Sequence, residues 1–143
     1  MSTFDWSNYL TFAQEICGKN NGQNPCQEAK MRCAISRAYY SAFCNARNFL
    51  KDNGVDLPDD AKVHEVVKSQ FNKSANETYQ QIGENLNRLR IARNKADYNN
   101  KYYINNRAAT NLVGEAIKSI SYCETVISKL HKLSQDKQTS QAK

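Results

Sequence analysis

Apolar residues recur along this chain at steps of three and four and hardly anywhere at steps of two, the signature of helix rather than strand. Trp6, Tyr9, Leu10, Ala13, Ile16 and Cys17 form the first run, which predicts a helix over 4–17 closed by Gly18 and the polar stretch after it. Asn24 and Pro25 read as a cap and a first-turn proline, and no Gly or Pro follows until Asn53-Gly54. The spacing therefore predicts a second, long helix over 25–52. On it Ile35, Tyr39, Ala42, Ala46 and Phe49 form one stripe, and Ser36, Tyr40, Phe43 and Arg47 form its neighbour. The small residues Ala38, Ser41 and Ala42 would let another helix approach closely.

Pro58 with Asp59 and Asp60 marks a third helix start, carried on by Val63, Val66, Val67 and Phe71. Tyr79, Ile82, Leu86 and Leu89 give a fourth helix, over about 79–97, whose apolar row runs on into Arg93. After an Asn-rich turn, Ala109, Val113, Ala116, Ile120, Cys123, Ile127 and Leu130 alternate steps of four and three over 105–133, the narrow seam of a bundle helix. The polar residues 134–143 read as a disordered tail. The fold class expected is all-α: one domain over 1–133, an antiparallel bundle of about five helices.

Composition sharpens this picture only slightly. At 143 residues, 40% of them hydrophobic and with five Gly and two Pro, the chain suits one mostly helical domain. A net charge of +6 favours acidic partners such as nucleic acid. No stretch has the run of apolar residues that a membrane helix needs, and the first residues lack a signal peptide's pattern, so a cytoplasmic protein without membrane contact is expected. Five cysteines without C-x-x-C spacing indicate neither a disulfide framework nor a zinc site. No glycine-rich phosphate loop, G-x-S-x-G or H-E-x-x-H is present, and no cofactor or metal is expected.

The seam of the fourth helix ends in a guanidinium. Such a position is costly unless the charge meets an acceptor or stays wet, so Arg93 either pairs with a carboxylate such as Asp97 or lines a polar cleft. Two readings stand side by side: a structural Arg-Asp pair closing a helix end, or an anion-binding or RNA-cleaving site. Arg88, Arg90 and Arg93 share one helix, and Arg32, Arg37 and Arg47 share another with Tyr39, Tyr40 and Phe43 between them. Interleaved basic and aromatic groups can hold phosphate and stack on unpaired bases, or can be a solvated face beside an aromatic core. Of the two histidines, His64 reads as a surface or capping residue, and His131 as a cation near a helix C-terminus.

Two stretches, Arg32-Cys-Ala-Ile-Ser-Arg-Ala-Tyr-Tyr-Ser-Ala-Phe43 and Leu89-Arg-Ile-Ala-Arg-Asn-Lys-Ala-Asp-Tyr98, together resemble the HEPN superfamily. The likeness is to its small stand-alone members, with an S/N-R-x-Y-Y-x-x-F helix and a later R-x-x-x-D-Y element, and it covers roughly 6–133. It implies a helical bundle that forms a homodimer around a shared cleft, and RNA as target, often with metal-independent endoribonuclease activity in toxin-antitoxin or defence systems. Arg93 and Asn94 match the Arg and polar positions of the family's signature. Asp97 and Tyr98 stand where its histidine would fall, so Asp97, Tyr98 or His64 would have to move the protons. A missing acid or base costs about 100- to 10,000-fold in rate. The candidate catalytic set is thus Arg93, Asn94, Asp97 and Tyr98, with Arg37, Arg90 and Tyr40 as candidate RNA or phosphate ligands. The resemblance also implies a non-catalytic alternative. In it the bundle binds RNA, a nucleotide or a partner nucleotidyltransferase, and Tyr98 is the candidate for adenylylation.

Overall fold

The computed structural model describes residues 4–18, 27–98 and 106–141, with side chains of the last helix described over 112–137. Its elements are α1 (Asn8–Gly18), α2 (Gln27–Asp52), α3 (Val63–Asn72), α4 (Glu77–Tyr98) and α5 (Asn106–Gln141), and no strand occurs among the described residues. The expected all-α bundle of five helices is the architecture observed. The Asn24-Pro25 cap and the Asn-rich turn after Tyr98 lie outside the described residues.

Helix ends follow local chemistry. Gly54, at φ 83°, closes α2 in a left-handed cap in which its N–H donates to the Lys51 carbonyl and that of Val55 to the Leu50 carbonyl, each at 3.0 Å. The start of α4 lies two residues before the expected Tyr79, because the Asn76 side chain accepts from the N–H groups of Thr78 (2.8 Å) and Tyr79 (3.2 Å). Pro58 and the two aspartates precede a turn rather than the helix itself, and α3 begins at Val63.

Helix α2 is the central element, packing against all four others. Its small residues Ala38, Ser41 and Ala42 are fully buried, and the helix that approaches there is α5, whose Cys123 lies against Ser41 and Ala42. Helices α1 and α4 run antiparallel to α2: Ser7 meets Asn45 at one end of α2, and Arg32 at the other end meets the last turn of α4. On α5 the buried row is Leu112, Ala116, Ser119, Cys123, Val126 and Leu130. Three of those positions were expected. Val113, Ile120 and Ile127 instead sit partly buried at the edge, since α5 covers both α2 and α4 and needs a broader face than one seam. The helix also continues to Gln141, past Leu133 and through part of the polar stretch expected to be irregular, and Lys137 hydrogen-bonds to the side chain of Asn53. Among the described residues, no helix is long and apolar enough to cross a membrane.

Where α3 crosses α4 the backbones nearly touch. A Cβ on Gly83 would fall 2.2 Å from Asn72 Oδ1 and 3.0 Å from the Asn72 backbone nitrogen, so the crossing requires glycine. At the other end of α3, His64 packs on the aromatic face of α2.

Candidate functional site

The last turns of α4 face the middle of α2, and their side chains meet around the ring of Tyr40. Arg93 sits at the end of the row Ile82, Leu86 and Leu89, all of them buried, and its own side chain is 15% exposed. Its Nη2 donates to the Tyr40 hydroxyl and its Nη1 to Asn94 Oδ1 at 2.8 Å. Its Nε lies 3.1 Å from Asp97 Oδ2, yet this buried N–H is aligned with no acceptor among the described residues. Proximity and alignment disagree here, so the contact is an ion pair held by charge and not a directed hydrogen bond.

Asp97 Oδ2 also accepts from Ser36 Oγ at 3.3 Å, and Arg37 Nη2 donates to that same Ser36 oxygen at 3.2 Å. The Arg37 guanidinium carbon stands 4.8 Å from the Tyr9 ring centre and 5.1 Å from that of Tyr40. That of Arg93 stands 5.1 Å from Tyr40 and 5.7 Å from both Tyr39 and Tyr98. Aromatic faces carry negative charge density and so hold both cations without neutralising them. Among the described residues Arg37 has no carboxylate partner and reaches Asp97 only through Ser36 Oγ, so Asp97 pairs with Arg93 and the charge of Arg37 remains unpaired in a half-open site.

Arg93 thus pairs with Asp97 and lies beside the exposed residues Asn94 and Tyr98, the latter 70% exposed. The fold brings Tyr40, Arg37, Arg93, Asn94, Asp97 and Tyr98 into one neighbourhood. Arg90 lies one turn back and is tied to α3 through Glu65 at 3.2 Å. Three arginines leave the cluster, among them Arg47, which stands 5.4 Å from the Trp6 ring centre. Arg32 Nη1 donates to the Ala96 carbonyl at 2.8 Å, stabilising the C-terminus of α4, and Arg88 pairs with Glu84 on an exposed face.

The sequence named His64 as a surface or capping residue or as a proton carrier, without its neighbours. It is partly buried: its ring stacks on Phe43 with centres 4.3 Å apart and on Tyr39 at 5.7 Å, and its Nδ1 lies 2.6 Å from the Tyr39 hydroxyl. Burial first, then the guanidinium groups of Arg90, Arg93 and Arg47, hold the imidazole below the ordinary histidine value. The only sequence signal was its spacing from Val63 and Val67, which leaves its partners on α2 unspecified. No group of three or more His, Cys, Asp or Glu suited to a metal occurs among the described residues. An open depression of about 330 Å³ near Ser7, Asn48, Asn53 and His131 includes none of these site residues.

Comparison with known proteins adds one finding. The family model for the HEPN domain matches residues 21–133, starting after α1, while no curated protein and no solved structure matches the chain. An all-helical bundle, with both motif stretches packed against each other inside the matched region, leads to one assignment: the chain belongs to the HEPN family.

Proposed function

We propose that this HEPN protein acts on single-stranded RNA as a homodimer, seating backbone phosphate on Arg93 and Arg37 and stacking a base on Tyr98. The observation that carries the reading is the charge imbalance around Tyr40, where two guanidinium groups lie over its ring and only one of them, that of Arg93, has a carboxylate partner among the described residues, beside exposed Asn94 and Tyr98. Phosphate is the complement of such a pair, and an exposed tyrosine at its rim suits an unpaired base. A cytoplasmic role in a toxin-antitoxin or defence system belongs to the same proposal.

Cleavage would proceed without metal: the ribose 2′-hydroxyl gives its proton to a base and attacks the adjacent phosphorus, the bond from phosphorus to the 5′-oxygen breaks, that oxygen takes up a proton and leaves, and a 2′,3′-cyclic phosphate remains, while Arg93 and Asn94 steady the charge on the phosphorane. One observation favours binding over cleavage: Asp97 is already engaged by Arg93 and by Ser36, which leaves it poorly placed to take the 2′-hydroxyl proton. The exposure of Tyr98 equally suits it as the acceptor of an adenylyl group from a partner nucleotidyltransferase.

The test is one set of RNA incubations with EDTA present, read for both binding and cleavage, on wild type, Arg93→Ala and Asp97→Ala. Binding lost in Arg93→Ala without cleavage by wild type supports a binding module, and cleavage that Arg93→Ala abolishes supports a ribonuclease. Arg93→Ala that binds RNA like wild type overturns the proposal, and a monomer by light scattering overturns its dimeric form.

A further inference from the structure

The fold brings a second polar group to the arginine cluster from a different helix. Tyr39 is 1% exposed, and burial pushes its phenol above the ordinary value, so its hydroxyl keeps its proton. The sole hydrogen-bond partner of that hydroxyl among the described residues is His64 Nδ1, at 2.6 Å. A buried hydroxyl proton without an acceptor is costly, so the Tyr39 O–H donates and Nδ1 accepts. A neutral imidazole that accepts at Nδ1 carries its own hydrogen on Nε2. His64 is partly exposed, and its Nε2 has no hydrogen-bond partner among the described residues.

The groups around the ring determine what it can meet. Helix α2 contributes Tyr39, Tyr40 and Arg47, helix α4 contributes Arg90 and Arg93, and α3 itself contributes Glu65, already bonded to Lys68 and Arg90. The His64 ring stands edge-to-face with Tyr40 at 6.2 Å, and Tyr40 is the ring whose hydroxyl Arg93 holds. Burial first, and then the charges of Arg90, Arg93 and Arg47, keep the imidazole uncharged, with Arg90 paired to Glu65 and Arg93 to Asp97.

We propose that His64 is a phosphate-binding residue, a neutral Nε2–H donor that Tyr39 locks in one tautomer and that shares an RNA phosphate with the Arg93 cluster. This rests on the RNA reading above and deepens it. The role differs from that of an acid or base: the neutral Nε2–H donates a hydrogen bond and keeps its proton, as suits a ligand for an oxyanion. Tyr39 is a positioning residue in this arrangement.

Long-range ¹H–¹⁵N spectra of the imidazoles in the full chain test the proposal, with His131→Gln separating the two histidines. The expected result is the Nε2–H tautomer at pH 7.5 in free protein, and a shift of the His64 Nε2 resonance when a twelve-nucleotide single-stranded RNA is added. His64→Phe, which keeps an aromatic ring on Phe43, should bind that RNA roughly tenfold more weakly, the loss of one hydrogen bond to a charged acceptor. Tyr39→Phe should free the tautomer and weaken binding in the same direction, giving a second route should His64→Phe fold poorly. An Nδ1–H tautomer in free protein overturns the proposal. So does RNA that binds in an Arg93-dependent way while His64 signals stay still, and that result leaves the RNA reading standing. RNA binding indifferent to Arg93→Ala overturns both.

Discussion

Asp97→Asn separates the two possible meanings of the Arg93 ion pair. The substitution removes the carboxylate paired with Arg93 while leaving an oxygen for Ser36 Oγ, now 3.3 Å from Asp97 Oδ2. The pair is spaced i,i+4 on one helix with side chains 15% and 27% exposed, so its loss should cost stability only about 0.5–1 kcal/mol. For a ligand the sign reverses. A phosphate on the open side of the guanidinium would lie about 6.5 Å from the carboxylate, where repulsion at an effective dielectric of 20 to 80 is roughly 0.6–2.6 kcal/mol. Removing that repulsion should tighten RNA binding by about three- to seventyfold at low salt. Fluorescence anisotropy with a labelled single-stranded RNA at two salt concentrations, beside urea melts of both proteins, measures the two effects. Unchanged affinity together with a stability loss above about 2 kcal/mol would refute the reasoning and make the pair a helix-closing tie.

Three further outcomes follow from the packing. Because the folded state holds His64 below its ordinary value of 6.5, the unfolded chain binds the proton first as pH falls. Its contribution is complete above about pH 6.5 and is lost below it, down to the folded value, so urea midpoints should drop between pH 7.5 and 5.5 in wild type and drop less in His64→Phe. Gly83→Leu should lower stability by about 1–3 kcal/mol in urea melts, since a Cβ there meets the Asn72 backbone nitrogen at 3.0 Å. Arg32→Gln removes a cation from the final carbonyls of α4, and should cost about 1–2 kcal/mol and fray the turn that carries Asp97 and Tyr98, seen as faster amide exchange there.

Helix order was legible because one-sided burial leaves a period of three to four in the chain, and α2 and α4 carry it with few breaks. The buried row of α5 came out differently because a helix wedged between two others buries more than one seam, and periodicity alone gives only a best single line. The Arg93, Asn94, Asp97 and Tyr98 group was readable since all four lie within two turns of one helix. Tyr40 and Arg37 were readable as candidates from a motif, not from spacing. Nothing local announced that Arg32 would leave the cluster for the end of α4, 64 residues on, or that His64 would reach back 25 residues to Tyr39. Both contacts depend on how helices cross, and the α3 crossing depends on the missing side chain at Gly83.

The Arg93 guanidinium is its own most direct reporter. In ¹H–¹⁵N spectra of the full chain, titration with single-stranded RNA should shift the Arg93 side-chain N–H resonances, most strongly at low salt, together with those of Arg37. Arginine resonances that stay fixed at RNA concentrations where anisotropy reports saturated binding would place the RNA elsewhere and contradict the central claim.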